Sequence, residues 1–190
     1  FFQLLISSVI LTFFLSVLWV EPPIVFYLLG GLGALLQIAA FLKLYLIIKQ
    51  NREVIKTSLQ PFTFFLIKLA GIFLFGKIFM QLLTAHPFFV NLSYQVIDFV
   101  VGYLHWVFLG VVSISLFAFL SHFKLLKISR PLFYIYLTGF LLSEVLIFYT
   151  GMAIWLALPF PDGYFLILVL ISALIPVSVI SMLIRNFKNP

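Results

Sequence analysis

Long apolar runs alternate with short polar connectors along the whole chain. An apolar run of about 20 residues can cross the hydrocarbon core of a bilayer as a helix. Six runs meet this condition, at 1–20, 24–48, 62–84, 94–120, 132–156 and 165–184. A membrane β-barrel would instead show apolar and polar residues alternating over roughly ten positions. The pattern therefore predicts an all-α integral membrane protein, a single domain built as a six-transmembrane-helix bundle, with its last helix bent near Pro176.

The composition narrows the classes of protein further. Of the 190 residues, 65% are hydrophobic and 8% are charged, whereas about a quarter of a soluble domain is charged. The lipid bilayer is therefore the predicted partner of most of the surface. The chain has no cysteine, which excludes disulfides and thiolate metal sites within it. Its net charge of +6 does not indicate nucleic-acid binding, because the basic residues stand at the ends of apolar runs and form no basic stripe.

The basic residues are distributed unevenly between the connectors. The connectors after the first, third and fifth runs contain no lysine or arginine, and the first of them carries Glu21 and the third Asp162. Positive residues favour the cytoplasmic side of a membrane. The sequence thus predicts a multi-pass protein of a bacterial inner membrane, with both ends of this segment cytoplasmic. Nine of the eleven basic residues carry that prediction: Lys43, Lys49, Arg52, Lys56, Lys124, Lys127, Arg130, Arg185 and Lys188.

Ionisable residues inside the spans are the candidates for function, since a charge at mid-bilayer costs roughly 2.5–3.5 kcal/mol on insertion scales. At about 1.5 Å per residue, Lys77 and His105 lie roughly 10 Å and 15 Å below the outer ends of their helices, and Glu144 lies near mid-span. We therefore expect these three residues to meet between the third, fourth and fifth spans. The predicted intramembrane polar cluster is Lys77, Gln81, Asp98, His105 and Glu144.

Each of these residues has a structural and a functional interpretation. Lys77 and Glu144 form either an ion pair that locks the helices or part of a proton or ion pathway. His105 either makes an interhelical hydrogen bond or serves as a cofactor ligand or proton relay. Asp98 lies close enough to the outer end of its helix to be an interfacial residue. His105 and His122 are 17 positions apart, about 25 Å along a helix, and cannot hold one haem between them. A ligand role for His105 therefore requires a partner outside these residues.

Segments of the third to fifth spans resemble a group of polytopic membrane proteins from Bacteroidetes. These proteins look like distant relatives of haem–copper oxidase subunit I and of the NnrS-like haem and copper proteins. The resemblance covers roughly residues 65 to 151. It is carried by Lys77-Ile78-Phe79-Met80-Gln81-Leu82-Leu83, His86-Pro87, Gly102-Tyr103-Leu104-His105-Trp106-Val107-Phe108-Leu109-Gly110, Gly139-Phe140-Leu141-Leu142-Ser143-Glu144, Phe148 and Gly151.

The resemblance implies a protein of about twelve helices, of which this chain would be the C-terminal half, and it makes haem or copper the expected cofactor. The chain begins at Phe1 inside an apolar run without an initiator methionine, so we expect residues before it. The paired histidines of oxidase metal helices are absent, which argues against terminal oxidase activity.

Two functional hypotheses remain at this stage. One is a haem- or copper-linked respiratory or nitric-oxide-related protein with His105 as ligand or relay. The alternative is a non-catalytic membrane subunit or the half of a proton-coupled transporter, assembled with further helices or other subunits. Whether the chain is an enzyme stays open.

Overall fold

The computed structural model describes residues 1–20 and 22–188, apart from the side chain of Trp19. The roles expected for Glu21 and Pro190 lie outside this range. Within it the chain is helical and contains no strand, which confirms the all-α prediction. The α-helices are α1 (Phe2–Thr12), α2 (Ile24–Gln50), α3 (Arg52–Ser58), α4 (Pro61–Thr84), α5 (Pro87–Gln95), α6 (Ile97–His105), α7 (Ile114–His122), α8 (Arg130–Leu156) and α9 (Tyr164–Lys188).

Five helical stretches are long and apolar enough to cross a membrane. Four of them are the single helices α2, α4, α8 and α9, and the fifth runs from Ile97 to His122 through α6 and α7. The protein is therefore a multi-pass membrane protein that faces lipid over much of its surface. Helix α9 continues through Pro176 as one element.

The count of six long helices is not confirmed, because the first apolar run changes its helix type. It forms α1 and then a 3₁₀ segment, Phe13–Val20. The hydroxyls of Thr12 and Ser16 donate to carbonyls three residues earlier, at 3.1 Å and 2.7 Å, where the backbone makes this change. Side-chain bonds of this kind compete with the α-helical ladder.

Two short helices lie in segments predicted as connectors. Helix α3 follows α2 on the basic side, and α5 follows α4. Val96 is extended, with φ −125° and ψ 91°, and separates α5 from α6. The fourth span therefore begins at Ile97 and not near Tyr94, since apolarity alone does not report a backbone break.

The chain divides into two compact units, and the first comprises residues 1–61 and 71–95. Its main feature is the close packing of α1 against α2. A Cβ atom added to Gly33 would lie 2.6 Å from the backbone nitrogen of Thr12. The two backbones thus approach closely at Gly33, and only glycine allows that approach without a shift.

The second unit comprises residues 62–70 and 96–190, and α8 runs through its centre. Helices α6 and α9 both pack on α8. Cross-helix pairs between α6 and α8 follow one another along the interface: Phe99 with Gly151, Phe148 with Gly102, and His105 with Glu144. The α8 face that makes these contacts carries the candidate site.

A π-helical segment, Trp106–Ser113, joins α6 to α7 and begins directly after His105. The Tyr136 hydroxyl donates a 2.8 Å hydrogen bond to the Leu109 carbonyl inside this segment. The Ser113 hydroxyl donates at 2.8 Å to the Phe108 carbonyl, five residues earlier. π-helical turns are rare and occur often at functional sites.

Candidate functional site

Glu144 is a buried acid in the middle of α8. Its side chain is 3% exposed. Both carboxylate oxygens are buried, and neither has a hydrogen-bond partner among the described residues. Nearly all buried polar atoms in proteins are hydrogen-bonded, so a carboxyl group with two unpartnered oxygens requires an explanation.

His105, the last residue of α6, faces Glu144 across the α6–α8 interface. Its Nδ1 lies 3.5 Å from Glu144 Oε1, and this buried nitrogen likewise has no hydrogen-bond partner within residues 1–20 and 22–188. The side chain as a whole is 45% exposed on the described chain. Since Nδ1 is buried, that exposure belongs to the other part of the ring. The imidazole therefore presents one nitrogen to the carboxylate and turns its opposite edge away from it.

Aromatic rings lie along the interface close to the pair. The Phe148 ring lies against Gly102, one helical turn from His105, where an added Cβ would be 3.0 Å from the ring. On the other side of the pair, Trp106 and Phe140 are in contact, with ring centroids 6.2 Å apart. These rings place apolar atoms about one helical turn from each member of the pair. In such surroundings a charge or an unmade hydrogen bond costs more.

Hydroxyl groups occupy the same helix on both sides of the pair. Towards the C-terminus of α8, Thr150 hydrogen-bonds to the hydroxyl of Tyr164, which donates to the Leu146 carbonyl at 2.8 Å. Beside Glu144, the Ser143 hydroxyl donates to the Phe140 carbonyl at 2.9 Å. Towards the N-terminus stands the Tyr136 hydroxyl. The hydroxyls of Tyr136, Ser143 and Thr150 thus have hydrogen-bond partners, whereas the Glu144 carboxylate has none among the described residues.

Lys77 and Gln81 form a separate polar contact in the first unit. The Lys77 ammonium donates a short hydrogen bond to Gln81 Oε1 within α4. The two residues are one turn apart on the same helix face, a spacing that allows such bonds. Pairing of Lys77 with Glu144 stays a prediction.

The other predicted residues lie at the ends of the same span. Asp98 is half-buried in the first turn of α6, where a carboxylate is favoured by the helix dipole. His122 ends α7, and its ring packs on Phe123 with centroids 4.9 Å apart. Within the described residues no three histidine, aspartate or glutamate side chains are grouped closely enough to hold a metal ion.

Sequence reasoning missed several polar residues near the site. Tyr136, Ser143 and Thr150 are buried polar residues of α8. Their spacing from one another is a signal, because Tyr136 and Ser143 are seven apart and so are Ser143 and Thr150, which places the three on one helix face. In the first unit, the buried Oε1 of Gln37 in α2 has no hydrogen-bond partner among the described residues.

Comparisons of the chain with protein-family models, curated proteins and solved structures find no significant match. The apolar helices and the contact between His105 and Glu144 define the class of protein: a multi-pass, all-α membrane protein with a histidine–glutamate pair inside its helical bundle.

Proposed function

We propose that the chain is a proton-coupled membrane transport protein in which His105 and Glu144 take up and release a proton inside the bilayer. The observation that supports this is the unsatisfied state of the pair. His105 Nδ1 and both Glu144 oxygens are buried and have no hydrogen-bond partner in the part of the chain that the structure describes, although Nδ1 and Oε1 lie only 3.5 Å apart. A proton held between Nδ1 and Oε1 satisfies two of these three atoms. Uptake of one further proton neutralises the buried carboxylate, and a neutral carboxyl loses less free energy than a charged one when its Oε2 has no partner among the described residues.

A purely structural pair would be built differently. Buried ion pairs that hold helices together need good geometry and further hydrogen bonds to offset the cost of desolvation. Glu144 has neither, since its Oε2 has no partner and its Oε1 contact is long. Intramembrane ionisable residues in such surroundings typically belong to proton or ion pathways.

The orientation of His105 suits a proton relay. The two ring nitrogens of histidine can exchange protons separately. With Glu144 ionised, an imidazole protonated at Nδ1 accepts a hydrated proton at Nε2 and passes the Nδ1 proton to Glu144 Oε1. The ring is then neutral and protonated at Nε2, and the carboxyl group is neutral. Reversal of these two transfers returns the proton to water.

Infrared difference spectroscopy on the reconstituted protein tests the proposal, because a protonated carboxyl has its own C=O stretching band. We expect a band that rises and falls as pH is changed, is absent from Glu144→Gln and persists in Ser143→Ala. Ser143 is the matched control, since it is the buried neighbour whose hydroxyl bonds only to its own helix. Identical titrations of wild type and Glu144→Gln would contradict the proposal.

Proton flux into vesicles, driven by a potassium diffusion potential and read by an internal pH dye, tests the transport step. Glu144→Gln and His105→Gln are expected to reduce the flux at least tenfold relative to Ser143→Ala. A wild-type flux equal to that of empty vesicles, with an intact Glu144 band, would retain the proton site and contradict transport.

A haem- or copper-linked role is the second candidate, and one observation favours it. Histidines that ligate a metal usually direct their other nitrogen at a carboxylate, as His105 directs Nδ1 at Glu144. The described residues fit one coordination position, through Nε2, and a second ligand would come from further helices or other subunits. Bound haem would add electron-transfer chemistry. A Soret band or stoichiometric copper that is lost in His105→Ala would support this role, and their absence from the full-length protein would contradict it.

We also propose that this chain is the C-terminal half of a twelve-helix protein of a bacterial inner membrane, and that both ends of this segment are cytoplasmic. The distribution of lysine and arginine supports that orientation. A sixth crossing by the first apolar run is supported by its length. Eleven α-helical and eight 3₁₀ residues span about 32 Å, comparable with the hydrocarbon thickness of about 30 Å.

A further inference from the structure

In the span that carries His105, the buried residues before and after the π segment would point in different directions if the whole span were one α-helix. Gly102 is buried against α8 before the π segment, and Ile114 and Ala118 are buried after it. In a continuous α-helix, at about 100° per residue, Ala118 would point about 160° away from the direction of Gly102. A π-helix turns less per residue, so the segment between them brings both halves of the span onto the same side.

The π segment is bonded by side chains as well as by the backbone. Where a π-helix returns to an α-helix, the backbone hydrogen bonds change from five-residue to four-residue spacing. A carbonyl oxygen at that change loses its backbone donor and needs another one. The Tyr136 hydroxyl donates to the Leu109 carbonyl, four residues after His105, and the Ser113 hydroxyl donates to the Phe108 carbonyl, three residues after His105. Tyr136 is 1% exposed, so water cannot replace its hydroxyl.

We infer that Tyr136 is a positioning residue: its hydroxyl holds the π register of Trp106–Ser113, and this register aims His105 at Glu144. The relevance to proton transfer rests on the proposed function, whereas the effect on helix register does not. Tyr136 touches neither the proton nor Glu144 and acts through the backbone that follows His105.

Spin labels measure the register directly, and the absence of cysteine makes labelling specific. Leu104 and Leu116 are both exposed, at 45% and 51%, and stand on opposite sides of the π segment. With cysteines at these positions, Tyr136→Phe is expected to shift or broaden the distance distribution between the labels. Ser113→Ala, which removes the second hydroxyl, is expected to do the same to a smaller extent.

Tyr149→Phe is the matched control. Tyr149 lies on the same helix, and its hydroxyl donates a bond of the same 2.8 Å length to the Pro159 carbonyl, outside the π segment. This variant is expected to leave the label distances unchanged. If Tyr136→Phe also leaves them unchanged, the inference is overturned.

The functional consequence is read separately. In Tyr136→Phe the pH profile of the Glu144 carboxyl band is expected to move, whereas it stays fixed in Tyr149→Phe. Changed label distances with an unmoved profile would restrict Tyr136 to helix register and overturn its role in aiming His105. A wild type with no titrating Glu144 band would instead contradict the proposed function and leave the register result standing.

Discussion

Substitutions of Glu144 can show whether its carboxylate stabilises the fold or is kept for function at a cost in stability. Its unpartnered oxygens cost free energy in the folded state, since a buried polar group without a hydrogen bond destabilises by about 1–3 kcal/mol. A residue kept for packing would not retain that cost. The same side chain therefore separates the structural and functional interpretations of the pair.

Glu144→Met tests this distinction, because methionine has a similar length and no polar group. We expect an unfolding free energy equal to that of wild type or higher by roughly 1–3 kcal/mol, measured by thermal or denaturant unfolding in detergent micelles. Ser143→Ala, run beside it, should change little. A fall of several kcal/mol would mean that the pair locks α6 to α8 and would favour a structural subunit.

At this scale the sequence predicted which side chains to examine and not how they pair. His105 and Glu144 stood out because each is ionisable and deep in an apolar run. The direction of each side chain could not be predicted, since the π segment and the extended Val96 reset the helix phase. Tyr136 escaped notice because one buried tyrosine resembles any other aromatic in a chain with 25 phenylalanines.

At the scale of elements, the contact between α1 and α2 depends on a single missing side chain. A Cβ on Gly33 would lie within 2.8 Å of the backbone of α1, and backbone cannot move aside as a flexible side chain can. Gly71 of α4 has no atom within 4 Å of the equivalent position. The two glycines thus differ in their surroundings while both are helical.

Gly33→Ala is expected to lower the unfolding free energy by roughly 1–3 kcal/mol, because two packed helices must separate. Gly71→Ala is expected to raise it by up to about 1 kcal/mol, because alanine favours a helix. Both are measured by the same unfolding assay. Equal effects of the two substitutions would show that α1 and α2 do not approach as closely as the structure describes.

The long helices were predictable because about 20 apolar residues leave a chain in lipid few alternatives to a helix. Changes of helix type were not predictable from the same pattern. The 3₁₀ segment, the π segment and the short helices α3 and α5 all depend on hydrogen-bond register or on local polar contacts. Hydrophobicity therefore predicts where a span lies, and it does not predict whether the span is α-helical, 3₁₀-helical or π-helical.

For the whole molecule, orientation is the property most open to direct measurement. Thr57 follows α2 on the basic side and Asp162 lies in the turn before α9, and both are exposed. Single cysteines at these positions, treated with a membrane-impermeant maleimide on intact cells, are expected to react at 162 only. Thr57→Cys should react after the cells are opened. The reverse pattern would invert the proposed topology.

The tight α1–α2 packing has a consequence for how the protein is made. The two helices are joined through the 3₁₀ segment Phe13–Val20 and a link that includes Pro22 and Pro23, and their backbones approach closely at Gly33. Neighbours of this kind can leave the insertion machinery as one helical hairpin, before the later helices have been synthesised. Ribosome-stalled intermediates ending soon after α2 should therefore already resist extraction from the bilayer, and those carrying Gly33→Ala should resist it less.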